Sequence, residues 1–318
     1  MSNVDMRDAF FDEVYKIATE DKNVIFMTAD ADAFGLRKFK KDMPDQFINV
    51  GVAEQNLIDV AAGLAMNGKK VFVYSFISFI TARCFEQIKV SICSHDLPVF
   101  IVGVGPGYSF GFDGPTHHGT IDIGLMNLLP GMTIYNPSSS YLAKQFCRDM
   151  HNFETPAYIR IDKGKFDSIH SEYCVSGIEM VKDKNDEYVN NSDLCIISTG
   201  KMVHTAIAVA NKLDKEGIKT SVLDICVLKP LNGSELREYI KDFDRVVTLE
   251  DNSIVGGLGS MVSEQALTMG GLLLKRIASP DEQCFIYGDR EYIEKRYRLD
   301  CDNVFKRIMR WMGRKIEV

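Results

Sequence analysis

A single carboxylate stands at the entrance of a strongly apolar helical segment. Glu54 belongs to the run Gly51–Asn56, and the following run Leu57–Ala65 carries its apolar side chains at helical spacing. This places Glu54 at or just before the first helical turn, where the helix dipole favours an ionised carboxylate. A glutamate at such a position is most often a simple cap. Beside apolar helix residues it is also suited to proton transfer.

Two phenylalanines follow the next predicted strand. Phe76 and Phe79 come directly after the apolar run Val71–Tyr74 and are close enough in sequence to form one wall. Aromatic rings offer flat, apolar faces against which a heterocyclic ring packs well. The alternative interpretation is ordinary core packing, which is equally common for phenylalanine.

A glycine-rich segment carries an acid and two adjacent histidines. The stretch Gly103–Gly119 contains several glycines and two prolines, which are incompatible with a helix or a central strand. We therefore predict a long loop that presents Asp113, His117 and His118. An imidazole changes its charge near neutral pH and can move a proton. The sequence leaves open which of the two rings faces a ligand, and the ordinary alternative is solvent exposure.

The elements that must position these side chains follow from the pattern of apolar runs. The runs are unbroken and alternate with amphipathic stretches, which favours parallel sheets covered on both faces. We predict an α/β fold of two domains, each with a mainly parallel sheet flanked by helices, at residues 1–165 and 192–318. A connecting segment at 166–191 contains the polar stretch 183–191, a turn or hairpin tip. The predicted strands are Val24–Met27, Val71–Tyr74, Val99–Val104, Thr133–Tyr135, Tyr158–Ile161, Leu194–Ser198, Thr220–Asp224 and Arg245–Leu249. The predicted helices are Phe10–Glu20, Leu57–Met66, Thr81–Ser94, Tyr141–Met150, Val203–Glu216 and Gly259–Met269.

The candidate residues follow the ends of the predicted strands. Asp30–Asp32 follows the first strand, Phe76 follows the second, and the glycine-rich loop follows the third. Ligands of open parallel sheets bind beyond the carboxyl ends of the strands. We therefore expect these groups at one rim of the first sheet.

Composition restricts the classes of partner. The 318 residues are 46% hydrophobic and carry a formal net charge of -7 without long charged runs. The sequence therefore lacks the clusters of basic residues that bind nucleic acid. No apolar stretch reaches the roughly 18 residues that would cross a bilayer, and the N-terminus does not resemble an export signal. The eight cysteines are scattered and contain no C-x-x-C pair, which indicates small buried side chains and no metal site. We expect a cytoplasmic protein without a membrane partner.

Three motifs together resemble one family. Gly51–Asn56 reads GVAEQN, Ser75–Phe79 reads SFISF and Asp113–His117 reads DGPTH. Their wording, order and separation resemble the pyrimidine-binding domain of transketolases. The segments Leu228–Leu231 and Leu249–Ser260 are similar to the C-terminal domain of the same enzymes, so the resemblance covers nearly the whole chain.

The resemblance implies thiamine-diphosphate catalysis, in which a two-carbon ketol unit passes from a ketose to an aldose. It implies that Glu54 binds the ring nitrogen of the aminopyrimidine and promotes the tautomer that takes a proton from the thiazolium. Phe76 and Phe79 would wall the pyrimidine, and Asp32 would be a further cofactor contact.

The resemblance also implies a sugar pocket. His117 would assist proton transfer or orient hydroxyl groups, Asp113 would bind a sugar hydroxyl, and Arg160 would hold a phosphate or distal hydroxyls. An ion pair with Asp162 or another surface acid is the alternative for Arg160. The sequence departs from the family's sugar-binding pattern at two positions. Gly105 replaces a common histidine, and Leu36 replaces a serine that helps bind the acceptor phosphate. An unphosphorylated acceptor, or one carried on a larger group, is therefore an expectation.

The diphosphate half of the site is missing from the sequence. Members of this superfamily hold the divalent metal with a G-D-G segment and a later asparagine, and Gly288–Arg290 lacks the second glycine. Because Mg²⁺ requires several oxygen ligands together with the phosphates, we expect its ligands on a partner, the N-terminal transketolase subunit. We predict a heterotetramer with two chains of each kind, and self-association of this chain.

Three alternatives stay open. The β subunit of a 2-oxo acid dehydrogenase has the same two-domain plan, but its glutamate and histidine motifs read differently. A deoxyxylulose-phosphate synthase shares the glutamate motif on a longer chain. A non-catalytic structural or regulatory subunit is the third, and the presence of Glu54 and His117 argues against it.

Overall fold

The computed structural model describes residues 4–170, 176–182 and 193–314. Within these ranges the chain forms two mainly parallel sheets flanked by helices, which confirms the predicted fold class. The predicted turn at 183–191 lies outside the described residues. None of the helices in the described ranges combines the length and hydropathy needed to cross a bilayer.

The first sheet has seven strands in the order β10-β5-β6-β4-β3-β1-β2. All its neighbours are parallel except β10, an edge strand from the second half of the chain that pairs antiparallel with β5. Every residue of β1, β4 and β6 is buried, as expected for strands covered on both faces. The strands are β1 (Val24–Thr28), β2 (Phe47–Asn49), β3 (Lys70–Phe76), β4 (Val99–Val104), β5 (Thr133–Tyr135), β6 (Ala157–Ile161) and β10 (Val227–Lys229).

The second sheet has five strands in the order β12-β11-β8-β9-β7, and only β7 is antiparallel to its neighbour. The strands are β7 (Ile178–Lys182), β8 (Leu194–Ser198), β9 (Thr220–Ile225), β11 (Arg245–Ser253) and β12 (Leu273–Ser279). Strands β2, β7, β10 and β12 were not predicted, because each is short, at an edge, or partly exposed and so lacks an unbroken buried run.

Helices cover both sheets, and five of the six predicted helices are present with small changes in their ends. The predicted helix Thr81–Ser94 is wrong as a single element: turns at residues 81–84 and a π-helical stretch at Ile88–Ile92 interrupt it. The helices are α1 (Met6–Glu20), α2 (Phe34–Asp42), α3 (Glu54–Met66), α4 (Ile77–Ile80), α5 (Phe85–Gln87), α6 (Asp122–Asn127), α7 (Ser140–Asn152), α8 (Met202–Lys215), α9 (Gly233–Ile240), α10 (Leu258–Ala266), α11 (Arg290–Arg296) and α12 (Cys301–Trp311).

The two halves of the chain are joined by buried polar contacts. The guanidinium of Arg160 on β6 donates to Asp122 at 2.8 Å, to Asp251 at 2.7 Å, and to the Gly119 carbonyl at 2.7 Å. Asp251 belongs to β11 of the second sheet, so this arginine connects the sheets. Burial lowers the pKa of Arg160, but the two carboxylates outweigh this effect and raise it.

The backbone of the glycine turn before α10 binds a carboxylate of the same chain. The buried carboxylate of Glu250 accepts from the backbone N–H groups of Leu258 and Gly259, each at 2.7 Å. Burial raises the pKa of Glu250 to about 8, although these two bonds oppose the rise. The turn therefore packs a helix start against β11, and its N–H groups are already occupied.

Candidate active site

The candidate site lies where three neighbouring parallel strands end. Strands β1, β3 and β4 are adjacent in the sheet, and their carboxyl ends lead to the Asp30–Asp32 segment, to Phe76, and to the glycine-rich loop. The expected convergence at one rim is therefore present.

Glu54 is the first residue of α3, and its side chain is only 3% exposed. The chain approaches this helix through Gly51, whose φ of +74° lies in the left-handed region that glycine adopts without strain. One oxygen, Oε2, accepts from Arg83 at 2.5 Å. Within the described residues no hydrogen bond reaches Oε1. The carboxylate is thus held at the rim with one oxygen available.

The two phenylalanines pack against His117. The ring centroids of Phe76 and Phe79 are 5.7 Å apart, and the His117 ring lies 5.3 Å from the first and 4.9 Å from the second. The Arg83 guanidinium lies 4.3 Å from the Phe79 centroid, which connects this cluster to Glu54. One continuous group of side chains therefore contains the acid, both aromatic walls and the imidazole.

The loop explains why glycine replaces the family's histidine. Gly105 has a φ of +94°, and a Cβ on it would lie 2.2 Å from the Phe110 ring. Phe110 packs 4.9 Å from Phe76 and fills this space. A side chain at position 105 would displace that ring. The glycine found where the family commonly has a histidine therefore leaves room for Phe110 as an additional aromatic wall.

The two adjacent histidines point in different directions. His117 faces Phe76 and Phe79, and its Nδ1 lies 3.0 Å from the hydroxyl of Thr116. His118 is buried and packs edge-on against Tyr108 at 5.2 Å. Burial lowers the pKa of His118. The ring that faces the aromatic cluster is therefore that of His117.

A cleft of about 640 Å³ opens beside the loop, between the two halves of the chain. Asp113, on a short 3₁₀ turn, lines it together with Phe110 and Lys163. The Lys163 ammonium lies 4.7 Å from the Phe110 centroid. Lys163 was not identified from the sequence, although it lies only three residues after Arg160.

Arg160 does not reach this cleft. Its side chain is 1% exposed, and the acids of the domain junction and the Gly119 carbonyl occupy its donors. The substrate role that the resemblance implies for Arg160 stays a prediction. Among the described residues, its acidic partners are the buried Asp122 and Asp251, whereas the alternative expected Asp162 or another surface acid. Lys163 and Lys165 line the cleft with Asp113.

Asp32 lies apart from the aromatic cluster. It lines a separate cavity of about 390 Å³ with Asp30, Leu36 and Arg37, and its carboxylate is 3.5 Å from the Arg37 guanidinium. Among the described residues no contact joins Asp32 to Glu54.

A second arginine from the C-terminal half holds the loop. Arg290, at the start of α11, binds Asp162 through two nitrogens, at 2.5 and 2.9 Å, and also donates to the hydroxyl of Ser109. Asp162 follows β6, whereas Ser109 belongs to the glycine-rich loop. The second half of the chain therefore positions the wall of the cleft, a contact between distant segments that no local motif signals.

These side chains fit an aminopyrimidine ring. A buried carboxylate with one available oxygen can bind a protonated ring nitrogen, and aromatic faces nearby can enclose the ring. Among the described residues no group of three or more His, Cys, Asp or Glu side chains is arranged to hold a metal ion. The class of protein that this fold and this rim define is that of the thiamine-diphosphate enzymes.

Comparison with known proteins agrees with that class. Residues 2–167 match the family described as transketolase, pyrimidine binding domain, and residues 184–304 match transketolase, C-terminal domain. The chain belongs to the transketolase family, whose members depend on thiamine diphosphate.

Several relatives have nearly the same length as this chain. A subunit of the apulose-4-phosphate transketolase of Phocaeicola vulgatus is 32% identical over 94% of this chain and 95% of its own. A putative transketolase C-terminal section of Methanocaldococcus jannaschii is 33% identical over 98% and 97%. A solved structure, described as a split gene transketolase, inactive beta4 tetramer, superposes with a TM-score of 0.83 at 27% identity and covers 97% of this chain and 98% of its own.

Proposed function

We propose that this chain is one half of a two-chain, thiamine-diphosphate-dependent transketolase that moves a two-carbon ketol unit from a ketose to an aldose. The observation that carries the proposal is the continuous cluster that joins Glu54 to Phe79 and His117. The relatives of equal length, which are named as transketolase subunits or sections, support the assignment.

Each side chain has a distinct task in this proposal. When bound, the cofactor would supply a nucleophilic thiazolium carbon for the ketose carbonyl. Glu54 holds a proton at the pyrimidine nitrogen through its available oxygen. Phe76 and Phe79 exclude water from the pyrimidine face, while His117 moves or holds protons at the sugar hydroxyls.

The partner supplies the rest of the site. We infer that an N-terminal subunit with a diphosphate-binding domain provides the Mg²⁺ ligands, and that two chains of each kind assemble in the cytoplasm. The solved relative is described as a tetramer of β chains that is inactive, which supports an enzyme that needs its second subunit.

We infer that lysines of the cleft hold an anionic end of the substrate, although Asp289 and Glu291 also line the cleft. Asp113 can accept a hydrogen bond from a sugar hydroxyl, and Lys163 and Lys165 line the same cleft. Two relatives act on such sugars by name, one on apulose 4-phosphate and one, from Clostridium, on 6-deoxy-6-sulfo-D-fructose. We therefore propose a phosphate or sulfonate at the end of the sugar distant from the carbonyl.

Reconstitution tests the two-chain proposal. The purified chain should show no ketol transfer in excess thiamine diphosphate and Mg²⁺, and addition of a subunit with the diphosphate-binding domain should restore it. Clear activity of the chain alone would contradict the proposal.

Paired substrates test the anionic end group. With the reconstituted enzyme, aldose phosphates should have a kcat/KM at least about tenfold above the matching free aldoses, and Lys163→Ala should reduce that preference by raising KM. Equal rates for both series would support the free acceptor expected from the substitutions at Gly105 and Leu36.

A further inference from the structure

Arg83 lies in the turn that interrupts the predicted helix after the aromatic motif. Helix α4 ends at Ile80 and α5 begins at Phe85, and the residues between them form turns. A continuous helix would carry position 83 on a regular helical face. The interruption instead brings this arginine against the start of α3.

Two consecutive residues of the glutamate motif bind this arginine. Glu54 accepts from the guanidinium at 2.5 Å, and the side-chain amide of Gln55 donates to the backbone carbonyl of Arg83 at 3.2 Å. The guanidinium also stacks over Phe79. Arg83 is therefore held at both its backbone and its head group, which is unusual for a side chain that is 43% exposed.

The charge of Arg83 compensates a buried acid. Burial disfavours the ionised form of a carboxyl group, whereas a cation within hydrogen-bond distance favours it. Cys84 and Asp59 are titratable groups of the same neighbourhood, and the His117 ring packs against Phe79. Burial and the charge of Glu54 together raise the pKa of the Cys84 thiol to about 12, so the thiol is neutral. Asp59 is an acid and accepts from Ser91, so neither Cys84 nor Asp59 supplies a positive charge to Glu54.

We propose that Arg83 is a positioning residue for Glu54, which fixes one carboxylate oxygen and directs the other oxygen to the pyrimidine nitrogen of the cofactor. This inference rests on the proposed function. Arg83 does not contact the substrate in this role, and it acts through Glu54.

The loss of Arg83 should weaken cofactor binding. In Arg83→Gln no cation fixes Oε2 of Glu54, so the other oxygen is no longer held toward the ring nitrogen. We expect the Kd of thiamine diphosphate for the reconstituted enzyme to rise about tenfold. Arg83→Lys should recover most of the wild-type affinity, because it keeps a cation beside Oε2.

The matched control is Arg148→Gln, which removes a half-exposed arginine from the buried Glu13 at 2.6 Å, on helices α1 and α7. This variant should leave Kd unchanged. Calorimetric titration with thiamine diphosphate in excess Mg²⁺ measures all four proteins. An Arg83→Gln enzyme with the wild-type Kd, or an Arg83→Lys enzyme that loses as much affinity as Arg83→Gln, would overturn the positioning role. Absence of binding by the wild-type enzyme would instead refute the proposed function itself.

Discussion

Arg83 and Arg160 each bind a buried carboxylate of the first half of the chain, but only one of the two arginines is itself buried. At the rim, Arg83 is 43% exposed and contacts one oxygen of Glu54. At the domain junction, Arg160 is 1% exposed and donates to two carboxylates and a carbonyl. At the rim, one oxygen of Glu54 is still available to accept a hydrogen bond. At the junction, contacts within the protein occupy the hydrogen-bond donors of Arg160.

The difference shows how a structural ion pair is distinguished from a functional one. A buried charge is tolerated when its partners satisfy it, and a junction built in this way gains geometric specificity. A site for a ligand must instead leave some bonding capacity unused until the ligand arrives. Glu54 meets that condition, and Arg160 does not, although both belong to motifs that resemble the family.

The same truncation in the two regions should have very different effects on stability. Arg160→Met leaves Asp122 and Asp251 buried without their cation, and we expect the free energy of unfolding to fall by about 3–5 kcal/mol. Arg83→Met also leaves the buried Glu54 without its cation, but it removes a single contact from a single carboxylate, so we expect a smaller loss of about 1–2 kcal/mol. Urea unfolding followed by circular dichroism measures both variants. Equal losses in the free energy of unfolding would contradict the distinction between a structural arginine at the junction and a functional one at the rim.

Substitutions of the two adjacent histidines should also differ, one affecting the reaction rate and the other the stability. His117→Asn should lower kcat of the reconstituted enzyme by about 100-fold with little change in stability, because the ring faces the aromatic cluster. His118→Asn should chiefly lower the unfolding midpoint, since that ring is buried against Tyr108. Steady-state rates and thermal unfolding of both variants test this, and a reversed pattern would assign the role to His118.

The pH should affect the junction through a second buried cluster. His170 lies 2.9 Å from Asp224 and 3.2 Å from the Ser138 hydroxyl. Burial lowers the pKa of His170, but bonds to Asp224 and Glu179 outweigh it and raise the pKa to about 9. Burial also raises the pKa of Asp224. The folded chain therefore binds more protons than the unfolded chain, and this stabilisation is lost as the pH rises.

We expect the unfolding temperature to fall by about 3–8 °C between pH 6.5 and pH 9. The stabilising contribution is complete below the ordinary histidine pKa of about 6.5 and disappears as the pH passes through the folded value of about 9. His170→Gln should flatten this dependence. A wild-type curve that is level across the same range would contradict the assignment.

Much of the fold follows from local patterns in the sequence. Unbroken apolar runs indicated the central strands, because strands covered on both faces need no polar alternation. The short edge strand Val227–Lys229 gave no such signal, since it is formed only when the second half of the chain packs against β5. The turn at residues 81–84 also could not be predicted, because contacts with Glu54 and Gln55 favour it over a helix.

Local sequence patterns also predicted part of the candidate site. Glu54 begins α3, Phe76 ends β3, and Phe79 and His117 lie beyond the ends of β3 and β4, so the topology of the sheet brings them to one rim. Arg160 and Lys163 are only three residues apart, and only the packing of β6 shows that the arginine is buried. Arg290 reaches the site from 128 residues away in the chain, as its bond to Asp162 shows, and local sequence patterns carry no information on such contacts.

The most direct test of the central claim is the ketol-transfer rate of the reconstituted enzyme with Glu54→Gln, measured at saturating thiamine diphosphate. Glutamine preserves the size of the side chain but cannot hold the proton, so kcat should fall by about 10²–10⁴-fold while the unfolding midpoint stays close to that of the wild type. A variant that retains the wild-type kcat would contradict the account.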